Sequence, residues 1–534
     1  MRVFLSREGE RNYSVVGCHM NRSKALTFFP ILLLAALSLS ACSGLPNKCT
    51  GTCVVGGNAT VSFTLVADTL PANPSILSFK VSVAGITLTP TTGTAVTLTP
   101  ATQVVDLMRL QSDTAFLGTL TNVASGSYTV QVTLSSPEIT FLNDTSSTIT
   151  ANGVACPANS GANSVCTATL VAAGTPTISS FTFTATSSGL QGIQLDFNLK
   201  NAISLTNGTL SVNFNPASPN PGVFTAFTLP RTNANLGTNQ LELIEDFTGV
   251  VSFTGSTVTI KSDTRGTLVA TSTSASFFDP SPDGVHCPTP GTFTSCVVNG
   301  QIASVDAFLK SDGTLVLKEF EPLNQTQQDF VEGIVYAVNT PTQFTIAVTD
   351  KVLGATNPLI GGLNTGDRLT VSIPTVNPSP FQVDTKGLAV PSGSLILFQG
   401  QTPTTAIHPG QTIAVHVTKF VAANGNTIAA ANADAVILRW SRLIATPTTT
   451  SSTTLNVNAV PSYFNITAAS VFPTQVFTGT LGAQGITNLD GIITDAGNVN
   501  TSPPVHPVGL RVLYLENATN SAPFPFMAAK IRQH

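Results

Sequence analysis

Tyr128-Thr129-Val130-Gln131-Val132-Thr133-Leu134 alternates apolar and polar residues with a period of two. The same alternation recurs at residues 61–65 and 193–199. Because successive side chains of a strand point to opposite faces of a sheet, this pattern is typical of half-buried β-strands. Turn residues punctuate the chain, and we find no helical periodicity after residue 41. We therefore predict an all-β fold, an N-terminal β-sandwich followed by tandem small β-barrel-like modules of the OB-like type.

The N-terminal 41 residues have the organisation of an export signal. Arg22 and Lys24 precede an apolar run, residues 25–41, which small residues close. Pro30 interrupts this run, and its length is near the lower limit for a membrane span, so the pattern favours a cleaved signal over a transmembrane helix. Residues 1–19 are polar and fit neither a signal nor the fold, and we expect translation to start at Met20.

The end of this signal, Leu39-Ser40-Ala41-Cys42, resembles the lipobox of bacterial lipoproteins. The resemblance implies cleavage before Cys42 and attachment of a diacylglycerol and a further acyl chain, such as palmitate, to that residue. Several acyl chains, at about 0.8 kcal/mol per buried methylene, make a stable membrane anchor. We expect residues 42–56 to form a lipid-anchored tether in the cell envelope. Ser43 follows Cys42, and the lack of Asp at this position resembles the pattern of lipoproteins passed to the outer membrane, a location that we favour if the host has two membranes.

Composition limits the partners and the number of domains. The chain has 534 residues, with 23 basic and 27 acidic side chains and a net charge of −4. This length is too great for one hydrophobic core, so several β domains are expected. Basic residues form no cluster, and we expect no nucleic-acid partner.

Six cysteines follow Cys42, an even number that suits an oxidising compartment. We predict that neighbours in sequence pair, Cys156 with Cys166 and Cys287 with Cys296, and that each disulfide closes a Pro-, Gly- and Ser-rich loop. Cys49 and Cys53 are most simply a tight disulfide beside the tether, although a redox pair or half of a metal site is also compatible with their spacing.

Residues 57–172 contain three segments of a recognisable pattern: an early strand at residues 79–88, Asp106-Leu107-Met108-Arg109-Leu110, and a Gly-x-Tyr strand that begins at Gly126. They resemble a bacterial lipoprotein family called domain of unknown function 4382, in which a second Leu usually stands where this chain has Met108. The resemblance implies an extracytoplasmic β-sandwich and assigns no catalytic residue. Residues 173–244 are predicted to be a bridging β segment.

From there the sequence repeats. Asp246-Phe247-Thr248-Gly249-Val250-Val251 is echoed by Asp329-Phe330-Val331-Glu332-Gly333-Ile334-Val335. We predict three β-barrel-like repeats, at residues 245–327, 328–441 and 442–534. Their opening Gly-x-Val hairpin and closing Gly-x-Ile-x-Ala hairpin resemble domain of unknown function 5666, a small barrel-like module of bacterial envelope proteins.

Residues suited to catalysis do not form a known motif. The internal histidines, His286, His408, His416 and His506, lack metal-ligand spacing. His416 is expected to face solvent, and His286 to have only a polar role in the loop beside Cys287. Neighbouring carboxylates are expected to occupy exposed strand or loop positions: Glu242, Glu245, Glu319 and Glu321. Asn488 to Asp495 resembles a calcium loop without its final Glu and is interpreted as a turn. We predict no cofactor and no metal site.

The aromatic residues bear on sugar binding. There are 30 Phe, five Tyr and one Trp, a composition that suits core filling better than exposed platforms. Trp440 is interpreted as a hinge plug, with a lone sugar contact as the alternative. We expect a non-catalytic, lipid-anchored envelope protein that binds or scaffolds an extracellular glycan or protein. A carbohydrate-binding lipoprotein is the first alternative, and an envelope hydrolase with a site between domains is the second.

Overall fold

The computed structural model describes residues 58–71, 73–100, 104–158, 164–173, 177–185, 190–215, 222–231, 236–279, 287, 291–324, 328–340, 342–355, 357–373, 381–384, 407–425, 427–451, 454–458, 460–464, 474–477, 499–503, 505–514 and 526–533. Residues 56–534 form one compact unit. Cys42, Cys49, Cys53, His286 and the segment from Asn488 to Asp495 lie outside the described residues.

Three sheets at the N-terminal side share one hydrophobic core, which contains Phe63, Phe79, Phe141 and Phe197. Their strands are β1 (Asn58–Asp68), β2 (Ser75–Pro90), β3 (Val96–Leu98), β4 (Val104–Asp106), β5 (Ala115–Ala124), β6 (Gly126–Leu142), β7 (Ile149–Ala151), β8 (Val154–Cys156), β9 (Val165–Thr169), β10 (Ala172–Ala173), β11 (Thr177–Ala185), β12 (Leu190–Asn198), β13 (Ile203–Thr206), β14 (Thr209–Asn213) and β15 (Phe224–Leu229). A single 3₁₀ turn, Arg109–Gln111, follows β4, and a short helix, α1 (Leu199–Ala202), follows β12.

The sheets of this sandwich have the orders β15-β12-β1-β5, β11-β6-β2-β3 and β10-β14-β7-β8. In addition, β4 pairs with β2, β9 with β6, and β13 with β14. Strand β12 runs parallel to β1 and lies between β1 and β15. The predicted bridging segment, residues 173–244, therefore contributes strands to the sheets of the sandwich.

Three further sheets follow, and we refer to them as the first, second and third modules. The first contains β16 (Gln240–Thr254), β17 (Thr257–Ser262), β18 (Gly266–Thr271), β19 (Phe277–Phe278), helix α2 (Phe293–Cys296), β20 (Ile302–Lys310) and β21 (Leu315–Asn324). The second contains β22 (Asp329–Thr340), β23 (Gln343–Val352), β24 (Arg368–Ser372), β25 (Phe381–Val383), β26 (Thr412–Val421) and β27 (Ala429–Arg439). The third contains β28 (Ser441–Ala445), β29 (Pro447–Thr450), β30 (Thr454–Val457), β31 (Thr474–Phe477), β32 (Val508–Tyr514) and β33 (Phe526–Gln533).

The three modules have the same strand order. In the second, the order β24-β23-β22-β26-β27 closes into a barrel because β24 also pairs in parallel with β27. The first has the equivalent order, and β18 meets β21 at Thr271 and Val316. In the third, the first strand is divided at Thr446 into β28 and β29, each of which pairs with one end of the row β32-β33-β31-β30. This is the strand order of five-stranded OB barrels, so the prediction of an all-β fold with barrel-like modules is confirmed.

The repeated Gly-x-Val motif has a steric cause. Gly249 in β16 and Gly333 in β22 each lie against the second strand of their module. A Cβ atom at Gly333 would lie 2.5 Å from the carbonyl oxygen of Ala347, and one at Gly249 would overlap the carbonyl oxygen of Lys261. Only glycine lets the first strand approach this closely.

A second repeated feature, which was not predicted from the sequence, joins the first and fourth strands. Gly300 donates its N–H to the carbonyl of Val251, and Gly410 donates to Val335, at 2.8 and 2.7 Å. Both glycines have positive φ angles, 85° and 94°, and each is followed by a glutamine that immediately precedes the fourth strand. The Gly-Gln pair is the sequence signal that could have identified these turns. The division of the chain into domains nevertheless stays a prediction, since the core of the second module also contains side chains of the third.

Candidate functional site

A bulge in the first module turns two carboxylates into the interior. The register of β16 against β20 shifts between Ile244 and Phe247, so that Glu245 and Asp246 both occupy the bulge. Asp246 has a φ of 48°, a left-handed conformation that non-glycine residues adopt rarely. Its N–H donates to Oδ1 of Asp306 at 3.0 Å. Both bulge residues are almost completely buried.

Asp246 contacts three arginines. Its Oδ2 lies 2.8 Å from Nη2 of Arg442 and 2.6 Å from Nη2 of Arg511, while its Oδ1 lies 3.8 Å from Nη2 of Arg439. These arginines come from the end of β27 and from β28 and β32. One carboxylate of the first module is thereby paired with cations of the second and third.

Glu332 of β22 is the second buried carboxylate that contacts several arginines. Its Oε1 lies 2.7 Å from Nη1 of Arg109, in the 3₁₀ turn of the sandwich. The same oxygen is 3.6 Å from Nη1 of Arg442, and Oε2 is 3.3 Å from Nε of Arg439. The second module is thus joined to the sandwich and to the third module through one side chain.

Further ion pairs extend these two centres into one continuous network. Asp113 lies 2.5 Å from Nε of Arg442, Glu321 lies 3.0 Å from Nη1 of Arg439, and Asp350 lies 2.9 Å from Nη2 of Arg265. Within the described residues, we define the junction network as six cations and seven carboxylates linked by ion pairs: Arg109, Arg265, Arg439, Arg442, Arg511, Lys530, Asp113, Glu245, Asp246, Glu321, Glu332, Asp350 and Asp384.

The arginines keep the network charged despite its burial. Burial on its own raises the pKa of Asp113, but Arg442, Arg511 and Arg109 outweigh it and hold that pKa below its ordinary value. Burial likewise opposes ionisation of Asp350, and Arg265 and Arg109 lower its pKa. These carboxylates are therefore ionised partners of arginine.

The expectation that Glu242, Glu245, Glu319 and Glu321 occupy exposed positions is wrong. Each is at most 4% exposed. Glu242 accepts a hydrogen bond from Gln194 of the sandwich at 2.5 Å, and Glu245 pairs with Arg511 at 3.0 Å. Period-two alternation assigns polar residues to a solvent face, but here other parts of the chain cover that face.

Neither His416 nor Trp440 has a fully exposed side chain. His416 is only partly exposed, and its Nε2 lies 3.0 Å from the carbonyl oxygen of Leu323, so the expectation that it faces solvent is wrong. Trp440 is fully buried in the core of the second module, beneath the guanidinium of Arg511 at 5.6 Å from the ring centroid. Its burial fits the interpretation as a plug.

Both described cysteine pairs are disulfides. Cys156 is bonded to Cys166 and Cys287 to Cys296, with Cα atoms 5.8 and 4.6 Å apart. Local pairing is therefore confirmed for these four cysteines. In the described part of the chain, no three His, Cys, Asp or Glu side chains are grouped as metal ligands.

A cleft of about 530 Å³, measured with its open mouth, lies beside the junction network. Its walls come from the sandwich, the first module and the second module. Apolar walls include Val104, Leu110, Ala115, Phe116 and Phe247, and polar walls include Lys80, Asp106, Arg109, Asp113, Thr264 and Arg265. The cleft has no local signature in the sequence, because its lining is contributed by segments more than 250 residues apart.

No protein-family model, curated protein or solved structure matches the chain. The resemblances to domains of unknown function 4382 and 5666 stay predictions. Among the described residues, no helix has the length and apolar character required to cross a membrane.

Proposed function

We propose that this chain is a non-catalytic, lipid-anchored binding or scaffold protein of the bacterial cell envelope, with the acylated Cys42 as its anchor. The junction network is the observation that supports this role most directly. It joins the sandwich to all three modules through buried ion pairs. Because separating buried partners leaves uncompensated charges, such a network opposes movement between the modules. A rigid arrangement suits a protein that presents a binding surface away from the membrane.

The lowered pKa values of two buried carboxylates, Asp113 and Asp350, favour a non-catalytic role. A general acid near neutral pH needs a raised pKa, as in glycoside hydrolysis. Arg442 and Arg265 instead help to hold the pKa values of Asp113 and Asp350 below their ordinary values. These groups are suited to ion pairing.

One observation favours the hydrolase alternative. Asp106 and Asp113 both line the cleft. Burial raises the pKa of Asp106, whereas arginines lower that of Asp113, and such divergence is typical of an acid and its ionised partner. Oδ1 of Asp106, however, already accepts the N–H groups of Phe79 and Met108 at 3.0 Å, which gives it a structural role. Turnover of nitrophenyl glycosides or esters that is lost in Asp106→Asn, with unchanged folding, would support the hydrolase.

Metabolic labelling with an alkyne fatty acid, followed by protease shaving of intact cells, tests the anchor. We expect the wild-type chain and Cys49→Ala to incorporate the label and Cys42→Ala to lose it. Shaving of the labelled protein would place its modules at the cell surface, and protection would place them inside the envelope. Equal labelling of Cys42→Ala and wild type would exclude Cys42 as the anchor.

A further inference from the structure

The cleft beside the junction network is lined partly by apolar side chains and partly by cations. Phe116 and Phe247 provide aromatic walls, and Val104, Leu110 and Ala115 provide aliphatic ones. Cationic side chains line the same space, namely Lys80, Arg109 and Arg265. Small-molecule sites combine apolar walls with a few charged groups in this way.

The three cations differ in how many of their N–H donors already have an acceptor. Lys80 lies 2.7 Å from Glu138 and donates to the carbonyl oxygen of Thr365 at 2.9 Å. Arg265 places Nη2 2.9 Å from Asp350, and no other hydrogen bond joins its guanidinium to the described part of the chain. Its side chain is 13% exposed and lies over the ring of Phe247, 5.4 Å from the centroid. Arg265 therefore retains donors beside an aromatic wall.

Arg109 supplies an independent indication of a missing partner. Its side chain is only 6% exposed, and among the described residues its Nε has no hydrogen-bond acceptor. The nearest carboxylate oxygen of Asp113 is 3.9 Å away. A buried N–H without an acceptor is unfavourable, and an oxygen atom bound in the cleft would satisfy it.

Arg109 and Arg265 already pair with Glu332 and Asp350 at 2.7 and 2.9 Å, so they offer unused N–H donors rather than a net positive charge. Asp113 is held by Arg442 at 2.5 Å. Burial raises the pKa of Asp106, which favours its neutral form. A ligand that matches the cleft carries one negative group next to an apolar body, since the cations lie beside aromatic and aliphatic walls.

We propose that the cleft binds a small apolar monocarboxylate, with its carboxylate at Arg265 and Arg109 and its apolar body between Phe116 and Phe247. Arginine suits this role because its planar guanidinium donates to both oxygens of a carboxylate. The inference rests on the proposed function as a binding protein and specifies the ligand class.

Calorimetric titration of the mature acylated chain in detergent with 3-phenylpropionate tests the proposal. We expect saturable binding of the acid, and at least tenfold weaker binding of 3-phenylpropanamide, which has the same shape without the charge. Acetate, which lacks the apolar body, is also expected to bind at least tenfold more weakly. Equal binding of the acid and the amide would overturn the role of the arginines, and saturable binding of none of these probes up to millimolar concentration would overturn the ligand class.

Two variants separate the cleft from general partitioning into detergent. Arg265→Gln should weaken binding of the acid by about tenfold or more, because it removes one charged donor pair. Arg231→Gln, which changes an arginine over Phe227 outside the cleft, should leave it unchanged. Ala115→Leu, which fills the cleft without changing charge, should also weaken binding if the variant remains folded. Equal affinity of wild type and both cleft variants would place the probe elsewhere. Because fatty-acid labelling at Cys42 is measured separately, failure of the ligand proposal is distinguishable from failure of the anchor.

Discussion

Asp246 and Arg442 are 196 residues apart in sequence, yet Oδ2 of the former lies 2.8 Å from Nη2 of the latter in the interior of the protein. Asp246 is in the bulge of β16, and Arg442 is in β28, the strand that begins the third module. Arg442 also contacts Asp113 of the sandwich, so this one side chain connects three parts of the chain. We therefore expect the sandwich and the modules to unfold together.

Asp246→Asn should destabilise the whole protein. The change removes the charge that faces Arg439, Arg442 and Arg511, and breaking a buried ion pair from one side costs about 3–5 kcal/mol. Urea denaturation should show a lower midpoint for fluorescence of Trp440 and for circular dichroism alike.

The matched control is Asp434→Asn. Its side chain is 50% exposed and lies 3.9 Å from His416, so a change within about 0.5 kcal/mol is expected. Equal stability of Asp246→Asn and Asp434→Asn would show that the junction network contributes little to folding.

The fold could be predicted from the sequence to the extent that local patterns determine it. Alternation at residues 128–134 correctly identifies part of β6, and the short separation of Cys156 and Cys166 correctly indicates a local disulfide. Both depend on neighbours in the chain, for which spacing is informative.

The junction network could not be predicted in this way. Glu245 was expected at an exposed strand or loop position, but it lies with Asp246 in a bulge that places it in the interior, and its partner Arg511 comes from β32. Neither the bulge nor a contact over 266 residues has a local signature. The cleft could not be predicted either, because residues that are distant in sequence line it.

Gly333→Ala should destabilise the second module because of a backbone contact. The added Cβ would lie 2.5 Å from the carbonyl oxygen of Ala347, and neither main-chain segment can move without disturbing the barrel. Overpacking of this kind costs about 1–3 kcal/mol. Gly361→Ala, in the same module but with open space at its Cβ, should be close to neutral. Equal urea midpoints for the two variants would contradict the steric explanation for the repeated glycine.

Loss of the Cys156–Cys166 disulfide should lower stability through the unfolded state. The bond closes a loop with a sequence separation of 10, for which the chain-entropy model gives about 2–3 kcal/mol. We expect a double change of both cysteines to alanine to lower the thermal midpoint of the oxidised protein, and reductant to have a smaller additional effect on this variant than on wild type. A double variant as stable as the oxidised wild type would assign no stabilising role to the bond.

Asp68 makes stability depend on pH. Burial raises its pKa to about 8, and the negative charge of Asp196 on the adjacent strand β12 adds to the shift. Between about pH 4 and pH 8 the folded protein keeps a proton on Asp68 that the unfolded chain releases, so the free energy of unfolding falls as pH rises through this window. Asp68→Asn cannot lose a proton, and we expect it to be more stable than wild type at pH 8.5 by about 1–3 kcal/mol, with a smaller difference at pH 5. Urea denaturation at these two pH values measures the difference, with Asp434→Asn as the exposed control. The same pH dependence in wild type and Asp68→Asn would mean that the pair of Asp68 and Asp196 does not govern it.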